Sequence, residues 1–79
     1  MEIEVRLFAT FRDYLPQDSA SFSFKKVLGK EMAVGTITEE IGLPSDVPKI
    51  FIVNGNVVAG EYVLHDGDVV SIFPPVAGG

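Results

Sequence analysis

The chain has 79 residues, no cysteine, and eleven acidic against six basic side chains, which give a net charge of −5. This length allows one domain with one core, and the missing cysteine excludes disulfides, thiolate metal sites and a cysteine nucleophile. The acidic balance repels nucleic acid, so we expect no nucleic-acid partner and instead a partner with a basic surface.

The N-terminal segment alternates charged and apolar residues, with Ile3, Val5 and Leu7 as its apolar positions. This period-2 pattern predicts a first strand with one buried face. It differs from a secretion signal, and no run in the chain approaches membrane-spanning length. We therefore expect a cytoplasmic protein that does not bind a membrane. A turn region at residues 9–19 follows.

Phe22 and Phe24 alternate with polar residues and predict a second strand, paired with the first as a hairpin. Residues 27–32 are predicted to be the strand end and a loop, since this segment is polar and contains a glycine. Three lysines are interpreted as belonging to a solvated loop: Lys25, Lys26 and Lys30.

A short helix is predicted next. Its apolar residues fall at helical spacing, at Val34, Ile37 and Ile41. Thr36 and Glu39 have the spacing of a capping box, and Gly42 and Pro44 are expected to end the helix. A helix this short needs to dock on a sheet to be stable.

The second half of the chain contains strand and turn signals. The apolar run at 50–53 predicts a central strand buried on both faces. Asn54-Gly55 predicts a hairpin turn, followed by a return strand at 56–59. Asp66-Gly67-Asp68 predicts another tight turn before a final strand at 69–73.

This order of elements predicts an α+β fold, the ubiquitin-like β-grasp. About five strands would form a mixed sheet packed on one main helix, with the final strand beside the first. We expect the β-grasp domain to span residues 1–74 and a flexible diglycine tail to span 75–79. Four apolar residues are predicted to be core rather than ligand pocket: Phe22, Phe24, Phe51 and Ile52.

The end of the sequence has no use inside a core. Gly78 and Gly79 lack side chains, so they can form a thin strip of backbone that threads a narrow channel. Pro74 and Pro75 would hold the approach extended. The alternative is a frayed end, because small residues are common at chain termini.

The sequence resembles the MoaD family, the small subunits of molybdopterin synthase, among the ubiquitin-fold sulfur carriers of the MoaD/ThiS superfamily. Four segments carry this resemblance: Val5-Arg6-Leu7-Phe8-Ala9, Val53-Asn54-Gly55, Leu64-His65-Asp66-Gly67-Asp68 and Phe73-Pro74-Pro75-Val76-Ala77-Gly78-Gly79. The last segment is the most specific. Its double proline favours MoaD over the thiamine-pathway carrier ThiS.

The resemblance implies that Gly79 carries sulfur as a C-terminal thiocarboxylate for dithiolene formation in the molybdenum or tungsten cofactor. The residues that thread into the partner would be Pro74, Pro75, Val76, Ala77 and Gly78. The chain would be a non-catalytic subunit with no bound cofactor. Its partners would be the large catalytic subunit, an E1-like adenylating enzyme that uses ATP, and a sulfur donor such as a cysteine desulfurase or rhodanese.

The resemblance further implies an apolar docking surface at Phe8, Val57 and Phe73, although Phe8 and Phe73 could equally be core. His65 is interpreted as a turn residue rather than a catalytic base. Glu61, Asp66 and Asp68 lack EF-hand spacing, so no metal site is expected. Two alternatives stay open: a carrier for thiamine, cysteine or tRNA thiolation, or a ubiquitin-like modifier whose diglycine forms an isopeptide.

Overall fold

The computed structural model describes residues 1–17 and 22–75. The described elements comprise five strands, a 3-10 helix and an α-helix. They are, in chain order, β1 (Glu2–Leu7), the 3-10 helix (Ala9–Tyr14), β2 (Ser23–Val27), α1 (Val34–Ile41), β3 (Ile50–Val53), β4 (Asn56–Val58) and β5 (Val69–Phe73). None of the helices in this part of the chain is long and apolar enough to span a membrane.

The strands form one sheet in the order β2-β1-β5-β3-β4. The neighbours β1 and β5 run parallel, and every other neighbouring pair is antiparallel. The first and last strands therefore lie side by side at the centre of a mixed sheet. This arrangement confirms the predicted β-grasp fold.

One face of the sheet, which we call the inner face, packs against α1 and forms the core. In β1 and β5 every second residue is buried, as the period-2 pattern predicted. Val34 and Ile37 of α1 join the same buried cluster. The core consists of Ile3, Val5, Leu7, Phe11, Leu28, Val34, Ile37, Leu43, Phe51, Val53, Leu64, Val70 and Ile72.

The start of α1 differs from the predicted capping box. The N-cap is Ala33, which makes no side-chain cap, so the roles proposed for Thr36 and Glu39 are wrong. Instead, the amides of Val34 and Gly35 donate to carbonyl oxygens of the loop before β5, at 2.8 and 2.9 Å. Backbone groups of a distant loop satisfy the helix end, which removes the need for a capping side chain. The other end agrees with the prediction, because the C-cap is Gly42 at φ 91°.

The contact between α1 and this loop makes Gly35 a sensitive position. A Cβ on Gly35 would lie 3.2 Å from the carbonyl oxygen of Gly60, the same oxygen that accepts the Gly35 amide. We expect Gly35→Val to lower the free energy of unfolding by about 1–3 kcal/mol, as overpacking does. Gly29→Ala is the control, since its Cβ would meet nothing within 4 Å. Denaturant unfolding of both variants tests this, and equal stabilities would contradict it.

The predicted turn region at 9–19 contains the 3-10 helix, which the sequence did not indicate. Phe11 from this helix is 2% exposed and belongs to the core. Of the predicted core residues, Phe51 is buried and Phe24 packs partly against the core, whereas Phe22 and Ile52 lie outside the buried cluster. The prediction of both as core residues is therefore wrong.

Two of the three lysines assigned to a loop lie in β2 instead. Lys25 and Lys26 are strand residues, and their ammonium groups pair with Glu4 and Glu40 at 3.6 and 3.1 Å. Lys30 does lie outside any helix or strand. The period-2 pattern that began at Phe22 extends through Val27, because edge strands tolerate lysine on exposed positions.

The turns of the second half form where the sequence placed them. Asn54 and Gly55 have φ values of 52° and 88° between β3 and β4, as their hairpin requires. The return strand ends at Val58 rather than Ala59. Asp68, 7% exposed, then ties this turn to β5, because its carboxylate accepts hydrogen bonds from the Asn54 side chain and the His65 amide.

Candidate functional site

The face of the sheet opposite α1, which we call the outer face, carries the predicted docking residues. The register aligns one row of outer residues across four strands: Arg6, Ser71, Ile52 and Val57. A second row lies toward the end of the sheet where β5 finishes, because Ile50 pairs with Phe73 there. These two rows contain four apolar residues that lie outside the buried core: Ile50, Ile52, Val57 and Phe73.

Phe8 and Phe73 form an aromatic stack at that end of the sheet. Their ring centroids are 4.3 Å apart and the rings are nearly parallel, at 5°. Phe22 adds a tilted ring 5.2 Å from Phe8. The Phe8 amide also donates to the carbonyl oxygen of Ile72 at 3.2 Å, which holds the stack against β5. Both stacked rings are only partly buried, and neither belongs to the core.

The stack continues into an exposed apolar surface. We call this surface the apolar patch, and it consists of Phe8, Ile50, Ile52, Val57 and Phe73. Val57 is 75% exposed and Ile50 is 39% exposed. Contiguous apolar side chains of this kind, left in water by a small domain, are typical of an interaction surface.

The patch explains why the prediction for β3 is half wrong. Phe51 and Val53 face the core, whereas Ile50 and Ile52 face outward, where Ile50 is exposed and Ile52 is only partly buried. A continuous apolar run normally indicates a strand buried on both faces. Here the second face is open. That run was the signal in the sequence that could have identified Ile50 and Ile52 as site residues beside Phe8, Val57 and Phe73.

The apolar patch lies at the root of the predicted tail. Pro74 and Pro75 follow Phe73 directly and belong to no strand, and Pro75 is exposed. The predicted threading residues Val76, Ala77 and Gly78 and the predicted sulfur-bearing Gly79 lie outside the described residues, so their assignments stay predictions.

A charged cluster adjoins the patch on the outer face. The Nε of Arg6 donates to Oε2 of Glu4 at 2.7 Å, and the Lys25 ammonium lies 3.6 Å from Oε1 of the same carboxylate. The hydrogen bond from Arg6 is the main reason that the pKa of Glu4 lies below its usual value, with Lys25 a smaller contributor. Two cations thus share one anion on the outer face.

This lowered pKa predicts a pH dependence. Since the pKa of Glu4 is lower in the folded chain than the usual 4.5, its contribution to stability is present above about pH 4.5 and is lost as the pH falls through the folded value. We expect Arg6→Gln to raise the pKa of Glu4 towards its usual value, and Lys25→Gln to raise it less. Carboxyl NMR titration of both variants measures this. A larger change in Lys25→Gln would contradict the order of the two contributions.

The competing sites are occupied by structural contacts. An oxygen of Asp66 accepts the Glu2 amide at 2.7 Å, and both oxygens of Asp68 accept hydrogen bonds. His65 lies just before the Asp66-Gly67 turn and is mostly exposed. Within residues 1–17 and 22–75, no three acidic or histidine side chains cluster as metal ligands would.

The five-stranded mixed sheet, the single main helix and the exposed patch beside the C-terminal strand define a ubiquitin-like β-grasp protein. Residues 5–79 match the ThiS family, so the chain belongs to this family, which comprises sulfur carriers and ubiquitin-like modifiers. The resemblance to the MoaD/ThiS superfamily is thereby confirmed at the level of the family.

Individual relatives point to both branches of the family. The chain is 29% identical to small archaeal modifier protein 3 of Haloferax volcanii, over an alignment that covers all of both chains. It is also 29% identical to the structure of a putative molybdopterin converting factor, subunit 1, from Pyrococcus furiosus. That match covers 95% of this chain and 98% of the other, with a TM-score of 0.69.

A second similar structure is a protein–protein complex of subunits 1 and 2 of the molybdopterin-converting factor from Helicobacter pylori. The match covers all of both chains with a TM-score of 0.61, and the sequences are 24% identical. At this identity the likeness shows a shared fold.

Proposed function

We propose that the chain is a sulfur carrier that acts as the small subunit of molybdopterin synthase, with Gly79 as the sulfur-bearing residue. The observation that carries the proposal is the aromatic stack of Phe8 and Phe73, because Phe73 directly precedes Pro74, where the predicted diglycine tail would leave the sheet. A partner that covers this stack would fix the position at which the tail leaves the sheet. The similarity to a putative subunit 1 of a molybdopterin converting factor supports the same assignment.

The proposed chemistry follows from the reactivity of a carboxylate, which is a poor electrophile. An E1-like enzyme would use ATP to convert the Gly79 carboxylate to an acyl-adenylate and release pyrophosphate. A persulfide on the cysteine of a cysteine desulfurase or rhodanese would then displace AMP and form an acyl disulfide with the chain. A second thiol would cleave this bond, which releases the thiocarboxylate and leaves a disulfide between that thiol and the donor cysteine. The chain itself needs no bound cofactor for these steps, because it is the substrate and then the carrier.

The large catalytic subunit is the proposed acceptor of the carrier. The Helicobacter pylori structure is of a complex between subunits 1 and 2, which supports a two-subunit assembly for a chain of this fold. Docking would remove the side chains of the apolar patch from solvent. These are Phe8, Ile50, Ile52, Val57 and Phe73. Burial of such surface stabilises association by about 25 cal/mol per Å² before the costs of ordering are subtracted.

Intact-mass measurement of the chain isolated from its native host tests the proposal. We expect a fraction of molecules to be heavier by the difference between one sulfur and one oxygen atom. Fragmentation of the C-terminal peptide should place this difference on Gly79. Sulfur found only elsewhere in the chain would refute the thiocarboxylate. If deletion of the gene abolished the activity of enzymes that use the molybdenum cofactor, the chain would be assigned to the synthesis of that cofactor. If deletion abolished only thiamine synthesis or tRNA thiolation, the chain would be assigned to that pathway instead.

A second candidate is a ubiquitin-like modifier, which the similarity to small archaeal modifier protein 3 favours. In this function the activated Gly79 would form an isopeptide bond with a lysine of another protein. Mass spectrometry of host proteins would detect the C-terminal residues of the chain attached to lysine side chains. Such attachments without any thiocarboxylate would favour the modifier over the carrier.

A further inference from the structure

The outer face is cationic on one side of the apolar patch. Arg6 lies in the same cross-strand row as Val57, with Ser71 and Ile52 between them, and it is two residues from Phe8 along the chain. Lys25 of the neighbouring strand pairs in register with Glu4. The two cations outnumber the single carboxylate they share, although the whole chain has a net charge of −5.

The guanidinium of Arg6 is only partly used within the chain. Its Nε donates to Glu4, while its two terminal nitrogens meet no acceptor in residues 1–17 and 22–75. The side chain is 40% exposed. A guanidinium presents its N–H groups as a planar fork that matches a carboxylate. The terminal N–H groups of Arg6 can therefore bind a carboxylate, while the hydrogen bond from Nε to Glu4 orients the guanidinium.

We propose that the protein surface that covers the apolar patch carries a carboxylate side chain that binds the terminal nitrogens of Arg6. This inference rests on the proposed function, in which the large subunit docks on the outer face. Glu4 is a positioning residue, because its hydrogen bond to Nε holds the guanidinium along the sheet. Charge complementarity specifies the partner: an apolar contact surface with an acidic residue at the edge that meets β1 and β2.

The charge of the rest of the chain makes this contact selective. The net charge of −5 makes the chain as a whole repel an acidic group on a partner. Such a group is attracted where Arg6 and Lys25 share one carboxylate. A partner whose acidic residue lay elsewhere could still cover the apolar patch, but its carboxylate would be repelled by the acidic chain. Repulsion of this kind is how interfaces reject wrong partners.

Arg6 and Lys25 have different expected effects, which provides a matched control. Both contact Glu4, but Lys25 lies on an edge strand, its side chain is 65% exposed, and its ammonium is 3.6 Å from the carboxylate. Arg6 lies on an interior strand beside the stacked phenylalanines. Removing either charge changes the net charge equally, so a difference between the two variants reports local contact rather than long-range attraction.

The experiment titrates the purified large subunit of molybdopterin synthase from the same organism with five proteins: the wild type, Arg6→Gln, Arg6→Lys, Lys25→Gln and Phe73→Ser. We expect Arg6→Gln to weaken binding roughly tenfold or more and to reduce the dependence of Kd on salt, with Lys25→Gln weakening it about twofold. Arg6→Lys should restore only part of the affinity, because it returns the charge without the fork. Thermal unfolding of each variant shows whether the fold is retained.

The outcomes separate this inference from the function on which it rests. If Arg6→Gln and Lys25→Gln bound the large subunit equally well and Phe73→Ser bound it weakly, the inferred carboxylate contact with Arg6 would be contradicted. The docking role of the outer face would still be supported. Absence of binding by the wild type would overturn both. Concentration-dependent dimers of the chain alone, lost in Phe73→Ser, would assign the outer face to a second copy and also overturn the inference.

Discussion

Adding one alanine after Gly79 is expected to abolish thiocarboxylate loading while leaving the thermal unfolding temperature unchanged. The extension moves the carboxyl group onto a residue with a Cβ, which the narrow channel of an activating enzyme would exclude. Loading is measured by intact mass after incubation with the E1-like enzyme, ATP and the sulfur donor. Pyrophosphate release measures the adenylation step by itself, and we expect it to be lost as well.

The control is Gly29→Ala, which adds one Cβ in open space on the domain and leaves the C-terminal residues unchanged. This variant is expected to load normally. Gly78→Val should behave like the extension, since it places a branched side chain inside the threading segment. Normal loading of the extended chain would show that the activating enzyme accepts a carboxyl group on a residue with a Cβ, which would contradict the narrow channel. Loss of loading in Gly29→Ala would show that the assay reports folding instead.

Phe73→Ser is expected to weaken binding to the large subunit by about 2 kcal/mol or more, the effect typical of a central aromatic anchor. Phe73→Ser should lower the free energy of unfolding by less than a substitution of a core-facing residue of β5 would. Phe73 faces outward, and its ring stacks on the ring of Phe8 at a centroid distance of 4.3 Å. Loss of an aromatic pair of this kind costs roughly 0.5–1.5 kcal/mol beyond the lost area.

The neighbouring residue provides the matched control for this variant. Ile72 precedes Phe73 in the same strand, points to the opposite face and is fully buried. We expect Ile72→Ala to lower the free energy of unfolding by about 2–5 kcal/mol, because it leaves a cavity in the core. Its affinity for the large subunit, measured at a temperature where it stays folded, should be nearly normal.

Calorimetric unfolding and binding titrations on both variants complete the comparison. The docking role requires that Phe73→Ser has the lower affinity for the large subunit and that Ile72→Ala has the lower free energy of unfolding. If Phe73→Ser proved the less stable of the two and bound normally, Phe73 would be a core residue. Phe8, Ile50, Ile52 and Val57 would then remain as the docking candidates.

Several parts of the fold followed from the sequence because their causes are local. Alternation at Ile3, Val5 and Leu7 predicts which side chains β1 buries, since neighbouring residues of a strand point to opposite faces. Asn54 and Gly55 form the hairpin turn because both tolerate positive φ. The helix ends at Gly42 for the same backbone reason. The order of these elements then allows few topologies, and the β-grasp is the one observed.

The site was predicted in part. Phe8, Val57 and Phe73 were placed on a docking surface by resemblance, and the fold brings all three to the outer face. Whether that surface binds a partner remains a prediction. Ile50 and Ile52 were missed because the sequence shows that they are apolar but does not show which face another element covers.

What the sequence determined by itself is therefore the buried face of β1 and the positions of the Asn54-Gly55 turn and of the helix end at Gly42, because each depends on adjacent residues. Only the tertiary structure decided how α1 begins, since distant carbonyl groups of the loop before β5 accept the amides of Val34 and Gly35. It also decided that Phe8 stacks on Phe73 and that Arg6 aligns with Ser71, Ile52 and Val57 across the sheet. These contacts join residues far apart in the chain, and no local pattern encodes them.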